Sequence, residues 1–258
     1  MLIPLLALGA YLAWHPQFFA RVSTPQALIT QRTHVLAPGV ALRTATVPGK
    51  AWSVIDFTVE LSRARLVIGE KPGGGRLSEL IPEGAIAAIN GAFFEHDFTP
   101  HGWLIKNGVE VHAKTERSPH HVFAVKGTQV FGGHWEDLHF APELALQNFP
   151  LLVEHGAARI VWSDTDNQNP RTFACDAGGG VVHLVVVVPG ADSGPTLFDT
   201  AALAALPRVL GGFGCNSAVN LDGGPSSGYW VRASAGVEFT EAPVRIGHSL
   251  AIVPNEPE

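Results

Sequence analysis

A carboxylate fixed directly behind a buried strand can act on a bound ligand, and Asp222 holds that position in the segment Asn220-Leu-Asp-Gly-Gly-Pro-Ser-Ser227. The run Ala218 to Leu221 predicts a short strand, and Gly223 and Gly224 let the backbone turn closely past a ligand. The hydroxyls of Ser226 and Ser227 can donate to phosphate or sugar oxygens. Free N–H groups in such a loop would form an anion-binding nest. Arg171 carries a guanidinium, which can engage two oxygens of one anion at once and stays charged. Asn90 closes the apolar run Ala85-Ile-Ala-Ala-Ile89, which delivers its amide to an edge of the sheet. Taken singly, each has a plainer reading: an Asp-Gly turn capped by serines, a structural ion pair, and a turn-forming asparagine.

Glu95, Asp97 and Asp176 are candidates for a second carboxylate that acid–base chemistry beside Asp222 could draw on. Glu95 and Asp97 are favoured because they follow Asn90 directly, and His101 in the same stretch can serve as proton donor. Both acids also fit a solvated acidic loop. His96, His101, His112, His120 and His121 show no His-x-x-x-His spacing with an accompanying glutamate, so neither a metal nor another cofactor is expected. Ser226 and Ser227 lack the Gly-x-Ser-x-Gly elbow of serine hydrolases. Lys71-Pro-Gly-Gly-Gly-Arg76 lacks the Gly-Lys-Ser/Thr ending of a phosphate loop and reads as a turn.

These residues must be positioned by short elements. Hydrophobic residues make up 46% of the chain and charged ones 16%, and 28 glycines and 19 prolines favour strands joined by tight turns over long amphipathic helices. Strands are expected at Ser53 to Leu61, Ala64 to Ile68, Ala85 to Ile89, His121 to Val125, around Val130, Leu151 to Val153, Gly228 to Val231 and Ile246 to Val253. Asn107-Gly108, between Trp103-Leu-Ile-Lys106 and Val109-Glu-Val-His112, predicts a type I′ hairpin. Thr172 to Asp176 and Val181 to Val188 form a second hairpin with a fully buried return strand. Helix or loop is expected at 142 to 148, and the spacing of Thr196 to Leu210 predicts a helix packed on the sheet. The expected class is α+β, a mixed twisted sheet with packed helices in one domain.

Residues 1 to 20 contain no Asp, Glu, Lys or Arg and read as a signal peptide or an N-terminal membrane anchor. Residues 21 to 51 read as a lead-in and 52 to 258 as the domain. The protein is thus expected outside the cytoplasm: secreted, periplasmic or membrane-anchored facing outward. A net charge of -6 with no cluster of Lys or Arg argues against nucleic acid as a partner. Cys175 and Cys215 read equally well as one bridge or as two buried thiols.

Five segments in order carry a resemblance: Ile89-Asn-Gly-Ala-Phe-Phe94, the stretch Pro100-His-Gly102 to Lys106-Asn-Gly108, Phe149-Pro-Leu-Leu152, Pro170-Arg-Thr172 and Asn220 to Ser227. Together they resemble the motif series of the phosphodiester glycosidase family, over roughly Trp52 to Val253. The resemblance implies hydrolysis of a glycosyl phosphodiester in a glycan or cell-surface polymer. Asp222 would be nucleophile or base, Arg171 the phosphate clamp, and Asn90, Gly223, Gly224, Ser226 and Ser227 would contact substrate. Two positions depart from the family pattern: Pro225 replaces a glycine and removes a backbone donor, and Ala92 replaces another glycine. Pro225 keeps open an alternative, a non-catalytic saccharide-binding or exopolysaccharide assembly protein. A third reading is a glycosidase acting on glycans without phosphate.

Overall fold

The computed structural model describes residues 28–46, 52–117, 119, 121–159, 169–190, 213–232 and 241–255. Seventeen strands make three sheets in this part of the chain. The largest has the order β1 (Ile29–Ala37), β2 (Val40–Thr46), β3 (Trp52–Glu60), β14 (Val181–Pro189), β13 (Arg171–Gly178), β15 (Ser217–Asn220), β11 (Leu151–Glu154) and β12 (Ala157–Ala158). A second comprises β7 (Val109–His112), β6 (Leu104–Lys106), β10 (Leu144–Gln147), β8 (His121–Lys126) and β9 (Gln129–His134). The third runs β16 (Tyr229–Val231), β5 (Ala87–Asn90), β17 (Ile246–Pro254) and β4 (Ala64–Gly75).

Every pairing among these strands is antiparallel, and the helical turns among the described residues are short 3₁₀ pieces at Leu77–Leu80, Trp135–Asp137 and Gly224–Ser226. The expected α+β class with a mixed sheet is therefore corrected to a nearly all-β, antiparallel architecture. The helix expected at Thr196 to Leu210 lies outside the described residues, as do the apolar N-terminal segment and His120. Between 142 and 148, Leu144-Ala-Leu-Gln147 has good local helix formers yet is a strand buried at all four positions. Pairing with both β8 and β6 overrides that propensity. The turn expected at Lys71 to Arg76 is instead a bulge within β4: the register jumps from Glu70 opposite His248 to Gly75 opposite Ile246.

Other local expectations hold. Asn107 and Gly108 have φ of 52° and 76°, the left-handed pair of a type I′ turn. The Val181 to Val188 run is sandwiched: Val182, Leu184 and Val186 face the central cluster with Phe57 and Leu146, whereas Val185 and Val187 face a second cluster with Phe173 and Cys175. The central cluster draws on all three sheets, through residues such as Leu42, Leu250 and Phe123. Their mutual burial locks the strand ends that carry the site.

Cys175 and Cys215 form a disulfide, with Cα atoms 5.6 Å apart and a sequence separation of 40, which decides the alternative left open by the sequence. It ties β13 to the entry of β15, the two adjacent strands that lead to Arg171 and Asp222. Closing a loop of this size stabilises by about 4 kcal/mol in the chain-entropy model. Reduction is expected to lower the urea midpoint strongly, while a Cys175→Ser/Cys215→Ser protein should show the same midpoint with and without reductant.

Candidate functional site

The sequence from Ala87 to Leu221 brings three strand ends together. β5 delivers Asn90, β13 begins at Arg171 and Thr172, and β15 ends at Asn220. Leu221 N–H donates to Thr172 O at 2.8 Å and Asp222 N–H to Gly91 O at 3.1 Å, so backbone bonds fix the position of the acid.

An open cleft of about 290 Å³ forms where these ends meet. Arg171, Asp222, Gly223 and Gly224 line it, beside Phe93, Phe149, Pro150 and Pro225. Phe93 and Phe149 pack with ring centroids 4.9 Å apart and supply an apolar wall. A Cβ added at Gly223 would lie 3.3 Å from Arg171 Nη1, so glycine there admits the guanidinium close to the acid's own loop. Gly224 has φ of 59°, which glycine adopts without strain.

Asp222 accepts a hydrogen bond from Gly223 N–H at 2.9 Å and another from the Ser226 hydroxyl. Burial opposes both, and the carboxyl is pushed up to about 6 from the usual aspartate range. A carboxylate with that value changes protonation near neutral pH and suits proton transfer.

Asn90 is fully buried and its amide is spent inside the protein. Its Nδ2 donates to Asp222 O at 2.7 Å, while Oδ1 accepts from Thr172 Oγ1 at 2.7 Å and from Gly228 N–H at 3.2 Å. Thr172 Oγ1 also lies 3.2 Å from Ser227 Oγ. Asn90, Thr172 and Ser227 thus form a buried brace behind Asp222. Thr172 was not singled out by type or spacing; its signal was its place beside Arg171 on an alternating strand. Thr172→Val is expected to cost about 1–3 kcal/mol in denaturant unfolding, because the Asn90 carbonyl loses a donor. Turnover should fall with KM little changed if the brace serves only to hold Asp222.

The expected anion nest is absent from the Asp222 loop. Gly223 N–H goes to Asp222 Oδ1, Gly224 N–H to Pro170 O, Ser226 N–H to Gly223 O and Ser227 N–H to Gly224 O. Pro225 therefore sits within a 3₁₀ turn whose neighbouring donors are already satisfied internally. Among the described residues that line the cleft, Arg171 carries the one cationic side chain.

Glu95 and His101 are paired with each other, His101 Nδ1 lying 2.6 Å from Glu95 Oε1, on the loop that leaves Phe93; neither lines the cleft. Asp97 is held below the usual range by hydrogen bonds from the Thr99 hydroxyl and N–H. Asp176 is half-buried and raised by that burial. It stands five residues beyond Arg171 on β13, roughly 17 Å along the strand. Of the three acids considered as partners for Asp222, none borders its cleft. His248, on β17, lies under the Asn90 motif: its Nε2 accepts from Ala92 N–H at 2.9 Å, and burial pushes it down to about 4. Nothing in its flanking sequence marked it.

Similar structures have the same fold. A zebrafish N-acetylglucosamine-1-phosphodiester alpha-N-acetylglucosaminidase catalytic domain, auto-inhibited by pro-peptide, superposes with a TM-score of 0.63 at 16% identity, over 88% of this chain and 82% of that one. A hypothetical protein from Synechocystis gives 0.61 at 13% identity over 85% of this chain, which spans 63% of that protein's length. A putative exported protein from Burkholderia pseudomallei K96243 gives 0.54 at 15% identity, over 82% and 74% of the two chains. No curated protein matches the sequence. The family model described as phosphodiester glycosidase matches residues 83–253, an interval that takes in Asn90, Arg171, Thr172 and Asp222. With well over half of its length so matched, the chain belongs to the phosphodiester glycosidase family.

Proposed function

We propose that this protein hydrolyses a glycosyl phosphodiester in a glycan or cell-surface polymer, with Asp222 as base and Arg171 as phosphate clamp. The observation that carries this reading is the meeting of one carboxylate poised near neutral pH and one guanidinium at a single cleft. Water adds to the anomeric carbon and its proton passes to Asp222. The bond from that carbon to the phosphate oxygen breaks, and its electron pair leaves on a phosphate monoester. That leaving group is a weak base, so charge stabilisation by Arg171 replaces a strong general acid. Phe93 and Phe149 would receive the apolar face of the sugar.

Asp222 is the sole carboxylate among the described residues that line the cleft, which favours a single displacement with inversion over a double one. Export is part of the same reading. The apolar first 20 residues and the Cys175–Cys215 disulfide support it, because such bridges persist in oxidising compartments.

The test is a panel of glycosyl phosphodiesters and aryl glycosides, followed by proton NMR of the released sugar. The expected result is free sugar of inverted configuration plus phosphate monoester from the diesters, with little release from plain glycosides. Saccharide binding with no release from any diester would instead favour the non-catalytic saccharide-binding reading.

A further inference from the structure

Asp222 is gripped through both ends of its backbone. Its O accepts from Asn90 Nδ2 at 2.7 Å, and its N–H donates to Gly91 O at 3.1 Å. Asn90 is braced in turn by Thr172 and Gly228. Gly91, the other half of the grip, has its own anchor in His248, a residue outside the lining of the cleft. β17 pairs with β5 as far as Ser249 opposite Asn90. The ladder runs one step further, because Gly91 N–H donates to His248 O at 3.0 Å. There the register of β17 against β4 shifts, between Ile246 and His248, and the next N–H of the motif goes to a side chain: His248 Nε2 accepts from Ala92 at 2.9 Å. One residue thus holds two consecutive N–H groups, one with its carbonyl and one with its ring.

The contact is close. A Cβ at Gly91 would lie 2.5 Å from His248 Cδ2 and 3.0 Å from His248 O, so glycine there admits the ring against the backbone. With Nε2 accepting, the neutral ring carries its proton on Nδ1, which is buried without a hydrogen-bond partner among the described residues. Such a donor costs stability, and an apolar side chain of similar size would avoid that cost. What an apolar side chain would not supply is the acceptor for Ala92. A second proton would leave a buried, unpaired charge, and burial pushes the imidazole down to about 4. Asp222 ionises near 6, so wherever its carboxylate is formed the ring is neutral and Nε2 keeps its lone pair for Ala92.

We infer that His248 is a positioning residue: its imidazole seats the Gly91–Ala92 segment and, through Gly91 O, fixes where Asp222 stands. The next residue, Phe93, lines the cleft but is held separately, its N–H donating to Asn148 Oδ1 at 3.3 Å. Loss of the imidazole acceptor should therefore reach Asp222 and spare the apolar wall. The effect on turnover rests on the function proposed above; the seating of Asp222 does not.

The test compares His248→Leu, which removes the acceptor, with His248→Gln, whose amide oxygen sits as many bonds from Cα as Nε2 does. Titration of the Asp222 carboxyl by ¹³C NMR needs no turnover. Its midpoint should lie near 6 in wild type and in His248→Gln, and below about 5 in His248→Leu, as a loosened loop lets water reach the acid. Gly91→Ala, which crowds the ring without altering it, should titrate as His248→Leu does. With a glycosyl phosphodiester, His248→Leu should lower kcat about tenfold or more and keep KM within about twofold, and His248→Gln should return kcat to within about threefold of wild type. The urea midpoint of His248→Leu should stay near that of wild type, because the lost Ala92 bond and the removed unpaired Nδ1–H act in opposite directions. A merely structural histidine would give the reverse, a lower midpoint with the carboxyl titration unmoved. The inference is overturned by that pattern, or if His248→Gln titrates as His248→Leu does. A wild type that releases no sugar while the titrations move as expected would sink the proposed reaction and leave the seating of Asp222 standing.

Discussion

Asp222→Asn is expected to lower turnover of a glycosyl phosphodiester by about 10²–10⁴-fold, the usual span for loss of a positioned base, with saccharide binding retained. The amide keeps an oxygen to accept the Gly223 N–H, so the loop should hold its shape. Wild-type kcat/KM is expected to rise as pH passes about 6 and then level, since only the ionised carboxyl takes the proton of water. Residual activity of the variant should lack that step.

Stability gives a second readout with a defined sign. Burial raises the folded-state value from 3.8 to about 6, so the folded protein binds this proton more tightly than the unfolded chain. The associated stability is present below the unfolded value and is lost as pH rises through about 6. At about pH 8 the buried charge costs about 3 kcal/mol. Asp222→Asn should therefore be more stable than wild type at about pH 8, with the advantage gone near pH 4. An unchanged turnover in the variant, or a wild type whose stability does not fall across this interval, would remove Asp222 from the role given to it.

Arg171→Ala is expected to reduce kcat/KM for a phosphodiester by about 10²–10³-fold, the range for removing one preorganised charge-stabilising group. Arg171→Lys should recover only part of the loss, because an ammonium cannot hold two phosphate oxygens in the plane of a fork. The effect should concentrate on the diester because the loop's N–H groups are bonded internally and cannot share the phosphate. Gly223→Ala should act in the same direction more mildly, since the added methyl would crowd Nη1 at 3.3 Å. Undiminished diester hydrolysis by Arg171→Ala, measured beside an aryl glycoside, would favour a glycosidase that ignores phosphate.

Much of the scaffold was readable along the chain. Asn107-Gly108 demanded its hairpin, and the valine run from Val181 demanded a strand buried on both faces, because turn geometry and side-chain alternation are local properties. Leu144 to Gln147 was not readable as a strand, since its local preference is helical and its state is imposed by β6 and β8. The same limit applies at the site. Asp222, Gly223 and Arg171 stood out by type and position, and the ordered motifs pointed to the right family.

By itself, then, the sequence determined many of the strands, the Asn107-Gly108 turn and the family-bearing motifs, because each depends on residues within a few positions of one another. Only the tertiary structure decided that Asn90, 132 residues from Asp222, serves as its brace through Thr172, and that the loop's N–H groups bond internally. It also paired Glu95 with His101 beyond the cleft's lining and raised Asp222 toward neutrality. Long-range strand register and burial set these features, and both arise when the sheets pack together.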